Sequence, residues 1–341
     1  MRGLKALGIL CASLAVALAL DGLACLLPDN PYQRWQLSDS TVYDQLRWAY
    51  ERIHYDDRPV DVAIFGPSRS LLGLSAERIG QQLSGDGEPA QVANFSVVGA
   101  GRNIQWAIAD ELFKAKSPKV LVLAVEETPY GFGHSAFKLV APASAVAFPP
   151  ARLLHNAFYD LAYLPSRQVK LFASGLFPDL FGLRKTFDPG IYAGTRSEFT
   201  SGILHLDHKI IDMDGAPSPE TLRKQAPPKA PPALSDRLLR WCCNDGDDHV
   251  YIAAIAELAR AHGTRLIFAF LPVFDSIAAV EDRAFLSRYG LVVDNGDMAH
   301  DANVYENWSH FNHTGAVKAS DRVASAIAAM KTSNLDRSDA K

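Results

Sequence analysis

Three strand-length stretches constrain this chain most: Val60 to Phe65, Lys119 to Val125 and Thr264 to Leu271. Each is apolar at nearly every position instead of every second one. A strand that is apolar on both sides is buried on both faces, which is the habit of parallel sheets covered by helices. The segments between them have helical spacing and stop signals. Ser75 to Leu83 reads as a helix with Ser75 as N-cap. Asn103 to Ala115 is a helix ended by Ser117-Pro118, and Asp248 to His262 is one stopped by Gly263. Ser276 to Tyr289 and His313 to Lys331 also read as helices, and Gln91 to Val97 and Leu291 to Asp294 as short strands. Strand–helix alternation of this kind predicts an α/β domain: a five-stranded, mainly parallel sheet in a three-layer α/β/α sandwich. Ligands of such sheets bind beyond the carboxyl ends of the strands. Ser68, Gly99 and Glu126 follow predicted strand ends, and His310 lies between the last strand and the last helix. The four therefore belong on one rim.

The alternation is interrupted at 128–247, a segment rich in Pro, Gly and aromatics. Short helices are expected near 150–163 and 166–174. Ala216 to Ala233 carries six prolines and reads as an exposed loop or lid. The expected organisation is a membrane anchor or signal at 1–28, a linker with a helix over Val42 to His54 at 29–58, the domain at 59–331, and a disordered tail at 332–341.

At the N-terminus, Arg2 and Lys5 precede an apolar run from Ala6 to Leu20, which Asp21 interrupts and Gly22 to Leu27 continue. The run has the roughly 20 residues needed to cross a bilayer. The leading positive charges predict that the rest of the chain lies outside the cytoplasm. An uncleaved transmembrane helix fits best, because the run is long and lacks a small-x-small cleavage site. A cleaved signal peptide and a lipoprotein signal at Cys25 are the alternatives.

Net charge is −4, so no polyanion-binding surface is expected and nucleic acid is not an expected partner. Of the four cysteines, Cys11 and Cys25 lie in the apolar run and Cys242 and Cys243 are adjacent. Neighbouring cysteines rarely pair, so neither a disulfide framework nor a zinc site is expected. His205 and His208 flank Asp207, but a solvated loop is the simpler reading there. No metal and no cofactor are expected.

Two segments carry candidate chemistry. Asp61-Val62-Ala63-Ile64-Phe65-Gly66-Pro67-Ser68-Arg69-Ser70 runs from an apolar strand into a Gly-x-Ser turn. Asn307-Trp308-Ser309-His310-Phe311-Asn312-His313-Thr314-Gly315 places a histidine just before a helix. A serine hydroxyl needs a base and donors for the developing oxyanion. Ser68 is the candidate nucleophile, with its own backbone N–H as an oxyanion donor, and His310 is the candidate base. Alone, each reads as a turn serine and a surface histidine; the pairing on one rim favours catalysis.

Gly66-Pro67-Ser68-Arg69-Ser70 resembles the first sequence block of the SGNH/GDSL hydrolases. Asn94-Phe95-Ser96-Val97-Val98-Gly99 resembles the second, and Asn307 to Gly315 resembles the last, Asp-x-x-His-x-Asn-x-x-Gly. The nearest flavour is the membrane-anchored extracytoplasmic branch, similar to the alginate O-acetylation and teichoic-acid D-alanylation proteins. The resemblance covers 60–126 and 248–331 and implies an SGNH, flavodoxin-like sandwich. It implies a serine acyl esterase or O-acetyltransferase acting on a cell-envelope or secreted polysaccharide. It also implies a place in the bacterial inner membrane with the domain in the periplasm or outside the cell, and a membrane acyltransferase as a further partner. The second-block Gly99 is then an oxyanion donor.

Two positions depart from the family pattern. The residue three before the histidine is Asn307 instead of Asp, with Glu306, Asp301 and Asp297 as nearby carboxylates. An amide can orient the imidazole but not neutralise its cation; in serine proteases that exchange costs about 10⁴-fold in turnover. The third-block asparagine is missing, since the strand ends Val125-Glu126-Glu127-Thr128, and Asn103 is the candidate replacement donor. Arg69 is a candidate for an anionic substrate group, or else a partner of Glu126 or Glu127. Trp308 is a candidate for stacking on a sugar, or else an anchoring aromatic. Two other readings stand beside the enzyme: a non-catalytic scaffold of a polysaccharide modification or export complex, and a lipid esterase.

Overall fold

The computed structural model describes residues 2–39, 41–84, 89–127, 131–151, 154–192, 194, 198–200, 203–206, 209–227 and 246–338. Ser75 caps its helix as expected, its hydroxyl accepting from the Arg78 N–H at 3.1 Å. The unbroken apolar runs become strands with every residue buried or nearly so: β1 (Val62–Phe65), β3 (Val120–Val125) and β7 (Arg265–Phe270). With β2 (Val92–Asn94) and β8 (Leu291–Val293) they form a five-stranded sheet in the order β2-β1-β3-β7-β8. Every pairing is parallel.

Successive side chains in a strand point to opposite faces. Ala63, Phe65, Leu121, Leu123, Phe268 and Phe270 enter one core with α3 (Gln45–His54), α6 (Arg102–Ala115) and α12 (Gly246–Ala261). Val62, Ile64, Val120, Val122, Ile267 and Ala269 enter another with α5 (Ala76–Gln82) and α14 (His313–Ser338). The chain is thus an α/β protein whose parallel sheet carries helices on both faces. Before it comes α1 (Arg2–Cys25), whose Lys5–Cys25 portion is 21 residues long and apolar enough to cross a membrane.

Several elements differ from the sequence expectation. In place of a helix over Ser276 to Tyr289 there is only α13 (Arg283–Leu286). Asp275 has φ +61°, which sends the chain away from a helical start, and the Ala278 carbonyl lies so close to Gly296 that a Cβ there would collide with it. The two expected short helices near 150–174 are one, α9 (Leu154–Leu176), running through Pro165. The last helix continues to Ser338, past the expected end at Lys331 and into the expected tail.

Within the proline-rich segment, α11 (Pro219–Gln225) is capped by Ser218 and buries Leu222 completely. The described part is largely exposed as expected, apart from Leu222, but forms a short helix instead of a loop; 228–233 lie outside the described residues. The interruption also holds a small antiparallel sheet that no sequence pattern announces, β4 (Glu198–Thr200), β5 (Ile203–Leu206) and β6 (Lys209–Asp212). His205 falls in β5, while Asp207, His208, Cys242 and Cys243 lie outside the described residues.

Candidate active site

The turn after β1 is shaped by close packing. A Cβ on Gly66 would run into the Ser70 hydroxyl and the Ala124 side chain, so only glycine lets the chain pass. Ser68 then opens α4 (Ser68–Gly73), with Pro67 as N-cap. Its N–H is among the first of a helix, which have no intrahelical acceptor. The turn is tied to its neighbours from beneath. The Ser70 hydroxyl bonds the Pro67 carbonyl at 2.9 Å and the Ser96 hydroxyl at 2.8 Å. The Asn94 amide donates to the carbonyls of Ser70 and Leu74 at 3.1 and 3.0 Å. Thus Asn94 holds the turn that carries Ser68 and is itself 5% exposed.

His310 arrives on a hairpin. β9 (Tyr305–Asn307) pairs antiparallel with β10 (His310–Phe311), and Asn307 and His310 face each other across it. Asn312 ties the hairpin to its surroundings. Its amide donates to the carbonyls of Gly215 and Asn303 at 2.9 and 2.8 Å, and its oxygen accepts from the Gly315 N–H at 3.0 Å. A Cβ on Gly315 would collide with the Val304 carbonyl, so Asn312 and Gly315 act together as a clasp at the start of α14. Segment 213–225 covers the same hairpin: His313 N–H donates to the Met213 carbonyl at 2.8 Å, and Trp308 N–H donates to Gln225 at 3.2 Å.

The two segments, 242 positions apart in sequence, meet in a chain of hydrogen bonds. Ser68 Oγ lies 2.9 Å from His310 Nε2. His310 Nδ1 lies 3.0 Å from Asn307 Oδ1. The orientation of the Asn307 amide is set by its other partners, because Oδ1 also accepts from the backbone N–H groups of Ser309 (3.0 Å) and His310 (3.1 Å). Backbone N–H groups only donate, so they require an oxygen there. The proton of the neutral ring therefore sits on Nδ1, and the Nε2 lone pair faces the Ser68 hydroxyl.

Burial pushes the His310 pKa down to about 4, with the Arg69 charge acting in the same direction. The imidazole is neutral at pH 7, as a general base must be. The Asn307 amide supplies no charge to stabilise the imidazolium that forms when the base takes up a proton.

Arg69 is held by both carboxylates at the end of β3. Its guanidinium lies 2.7 Å from Glu127 and 3.4 Å from Glu126, and it donates to the Leu271 carbonyl at 3.1 Å. Glu127 in turn accepts from the Val273 N–H at 2.7 Å. Burial alone would raise the Glu127 pKa, but the Arg69 charge and hydrogen bond overcome this and hold it below the usual carboxylate range. Arg69 thus clamps the ends of β1, β3 and β7 around the serine.

Gly99 has φ +97°, a conformation that favours glycine. A Cβ there would approach His134 Nε2 to 2.9 Å. His134 is 2% exposed; its Nδ1 accepts from the Ala136 N–H at 3.1 Å, which leaves Nε2–H to donate to the Val98 carbonyl at 2.8 Å. It braces the Gly99 turn from behind. Sequence reasoning missed it, since a histidine in an aperiodic stretch carries no local signal. Asn103 is almost fully buried, and its oxygen accepts from the N–H groups of His134 (2.7 Å) and Ile104 (2.9 Å). These bonds join it to the His134 brace. The structure brings Ser68, His310 and Asn307 together, sets Arg69 beside them in an ion-pair cluster, and leaves the Trp308 side chain half-buried at the hairpin tip. No family model matches the chain, and no curated protein matches it.

Proposed function

We propose that this chain is a serine acyl enzyme of SGNH type, an esterase or O-acetyltransferase for a cell-envelope or secreted polysaccharide. The observation that carries the proposal is the continuous relay from Ser68 Oγ through His310 to Asn307, at 2.9 and 3.0 Å, beyond the carboxyl end of a parallel sheet. In this reading the fold is the three-layer, flavodoxin-like SGNH sandwich. α1 is a single-pass anchor in the bacterial inner membrane, with the domain on the periplasmic or exterior side, as the charges of Arg2 and Lys5 direct.

In this reading Ser68 is the nucleophile and His310 its base, which the relay supports. Ser68 Oγ attacks the acyl carbonyl while His310 Nε2 takes the hydroxyl proton. The carbonyl π pair moves onto oxygen, where the Ser68 and Gly99 N–H groups receive it. Collapse expels the donor alcohol, which leaves with the proton from His310. The resulting acyl-serine is then opened by water in an esterase, or by a sugar hydroxyl in a transferase, with His310 again as the base. Substrate is expected near Trp308, and a membrane acyltransferase is a fitting source of acyl groups.

The test is hydrolysis of p-nitrophenyl acetate by the purified full-length chain beside Ser68→Ala. The proposal requires turnover that disappears with the hydroxyl; equal rates in the two proteins contradict it. The neutral Asn307 supports one other reading, a non-catalytic SGNH-fold scaffold of a polysaccharide modification complex, which predicts no serine-dependent turnover.

A further inference from the structure

A helix on the surface of a water-soluble domain turns its apolar stripe inward. α9 buries Leu164 and Leu171 in this way, but it also leaves a second set of apolar side chains facing outward. Asp160, Arg167, Gln168 and Ser174 are all 5% exposed or less, on the face packed against the domain. The outward apolar positions are Phe158 (85% exposed) and Leu161 (47%) before Pro165, and Val169 (50%), Phe172 (37%) and Leu176 (58%) after it. At 1.5 Å per residue the stripe from Phe158 to Leu176 is about 27 Å long. Leu180, 78% exposed, extends it onto α10 (Pro178–Phe181), which packs against α9.

Three of the buried polar residues have defined partners. Arg167 donates to the carbonyls of Lys138 (2.7 Å) and Ala141 (2.8 Å). Gln168 donates to the Leu27 carbonyl at 2.9 Å, and the Ser174 carbonyl accepts from Gln33 at 3.1 Å. The last two bonds grip the chain that follows α1. Among the described side chains of α1, exposure gives way to partial burial only at Ala24 and Cys25, and Cys25 packs against the cluster that holds Phe137 and Leu164. α9 therefore meets the anchor at its last turn, the level at which a spanning helix passes from hydrocarbon to headgroups. Lys138 lies 5.3 Å from the Tyr159 ring and 5.7 Å from the Tyr163 ring, a grouping of cation and tyrosines suited to that boundary.

We propose that α9 and α10 form a second membrane contact, an interfacial surface whose apolar stripe lies in the outer leaflet of the bilayer that α1 crosses. This rests on the reading of α1 as a membrane span. The bilayer is the occupant because the stripe adjoins the end of that span; a partner protein would have no need to begin at the anchor's last turn. Two attachments at one end hold the domain at a fixed tilt instead of letting it swing on a flexible tether. The active-site rim then works at a set orientation to the membrane, which suits an enzyme taking acyl groups from a membrane-borne source.

The test uses the full-length chain in nanodiscs of phosphatidylethanolamine and phosphatidylglycerol. A benzophenone amino acid is placed singly at Phe158, Phe172 and Leu180, with Leu14 in α1 and Ile277 on the domain as references. The expected result is phospholipid adducts at Leu14 and at the three stripe positions, and none at Ile277. Adducts at Leu14 without adducts at the stripe overturn the interfacial surface and leave the anchor standing, and protein–protein adducts at the stripe in native membranes do the same. Loss of lipid adducts at all four positions removes anchor and surface together. None of these outcomes depends on catalysis, so the proposed activity stands or falls separately. The double variant Phe158→Asp, Phe172→Asp should keep its melting temperature in detergent; a marked drop would show that the stripe packs within the protein and would also overturn the proposal.

Discussion

Asn307 Oδ1 faces His310 Nδ1 at 3.0 Å, occupying the place that a catalytic carboxylate would take. The hairpin makes this position work for either residue, because the oxygen is already held by the Ser309 and His310 N–H groups. Asn307→Asp should therefore keep the backbone geometry and add the missing charge. That charge should raise the His310 pKa from about 4 and stabilise the imidazolium. The expected outcome is an increase in turnover of roughly 10–10³-fold, below the ~10⁴-fold seen for the reverse exchange in serine proteases. The acid limb of the pH–rate profile should move upward from about pH 4, read with p-nitrophenyl acetate.

His310 and His134 are both held near a pKa of about 4, chiefly by burial, against an ordinary value of 6.5. With folded values depressed, the unfolded chain takes up protons first as the pH falls. Their contribution to stability is full above about pH 6.5 and is lost between there and about pH 4. The urea midpoint should fall over that window, and the fall should be shallower in His310→Gln. Equal slopes in the two proteins would contradict the assignment.

Arg69 separates binding from architecture. If the guanidinium serves as a clamp on Glu126 and Glu127, Arg69→Ala leaves two partly buried carboxylates facing each other and destabilises the fold by about 3 kcal/mol. Denaturant melts should show that loss while KM for a neutral ester stays unchanged. A raised KM for anionic esters with unchanged stability would instead assign Arg69 to substrate.

If the Gly99 N–H serves the oxyanion as proposed, His134 acts through it, because its ring backs the Gly99 turn. His134→Ala should lower kcat by ~10–100-fold, as a displaced oxyanion donor does. KM and the acid limb set by His310 should not move. A shifted limb would mean that His134 acts on the base instead.

The sheet was legible because its strands are apolar on consecutive residues, and β1, β3 and β7 fall where that pattern places them. Ser68, His310 and Asn307 were found through short blocks whose spacing is dictated locally: a glycine forced by Ser70 and Ala124, and a hairpin clasped by Asn312 and Gly315. Five features could not be read. The segment 276–282 has helical spacing but is held open by tertiary contacts near Gly296. The small sheet β4–β6 and the helix α11 lie in a stretch whose prolines suppress periodicity. The exposed apolar stripe of α9 is invisible to a pattern that reports apolar residues but not the direction each one faces. Whether Arg69 meets a substrate or a glutamate depends on strand order, which sequence spacing does not fix.

The most direct measurement is covalent labelling of the full-length chain with a fluorophosphonate, followed by peptide mass spectrometry. The account predicts one adduct on Ser68, lost in His310→Ala and formed faster in Asn307→Asp. A folded chain that takes no label, or takes it on a serine other than Ser68, would contradict the serine acyl enzyme and leave the scaffold reading in its place.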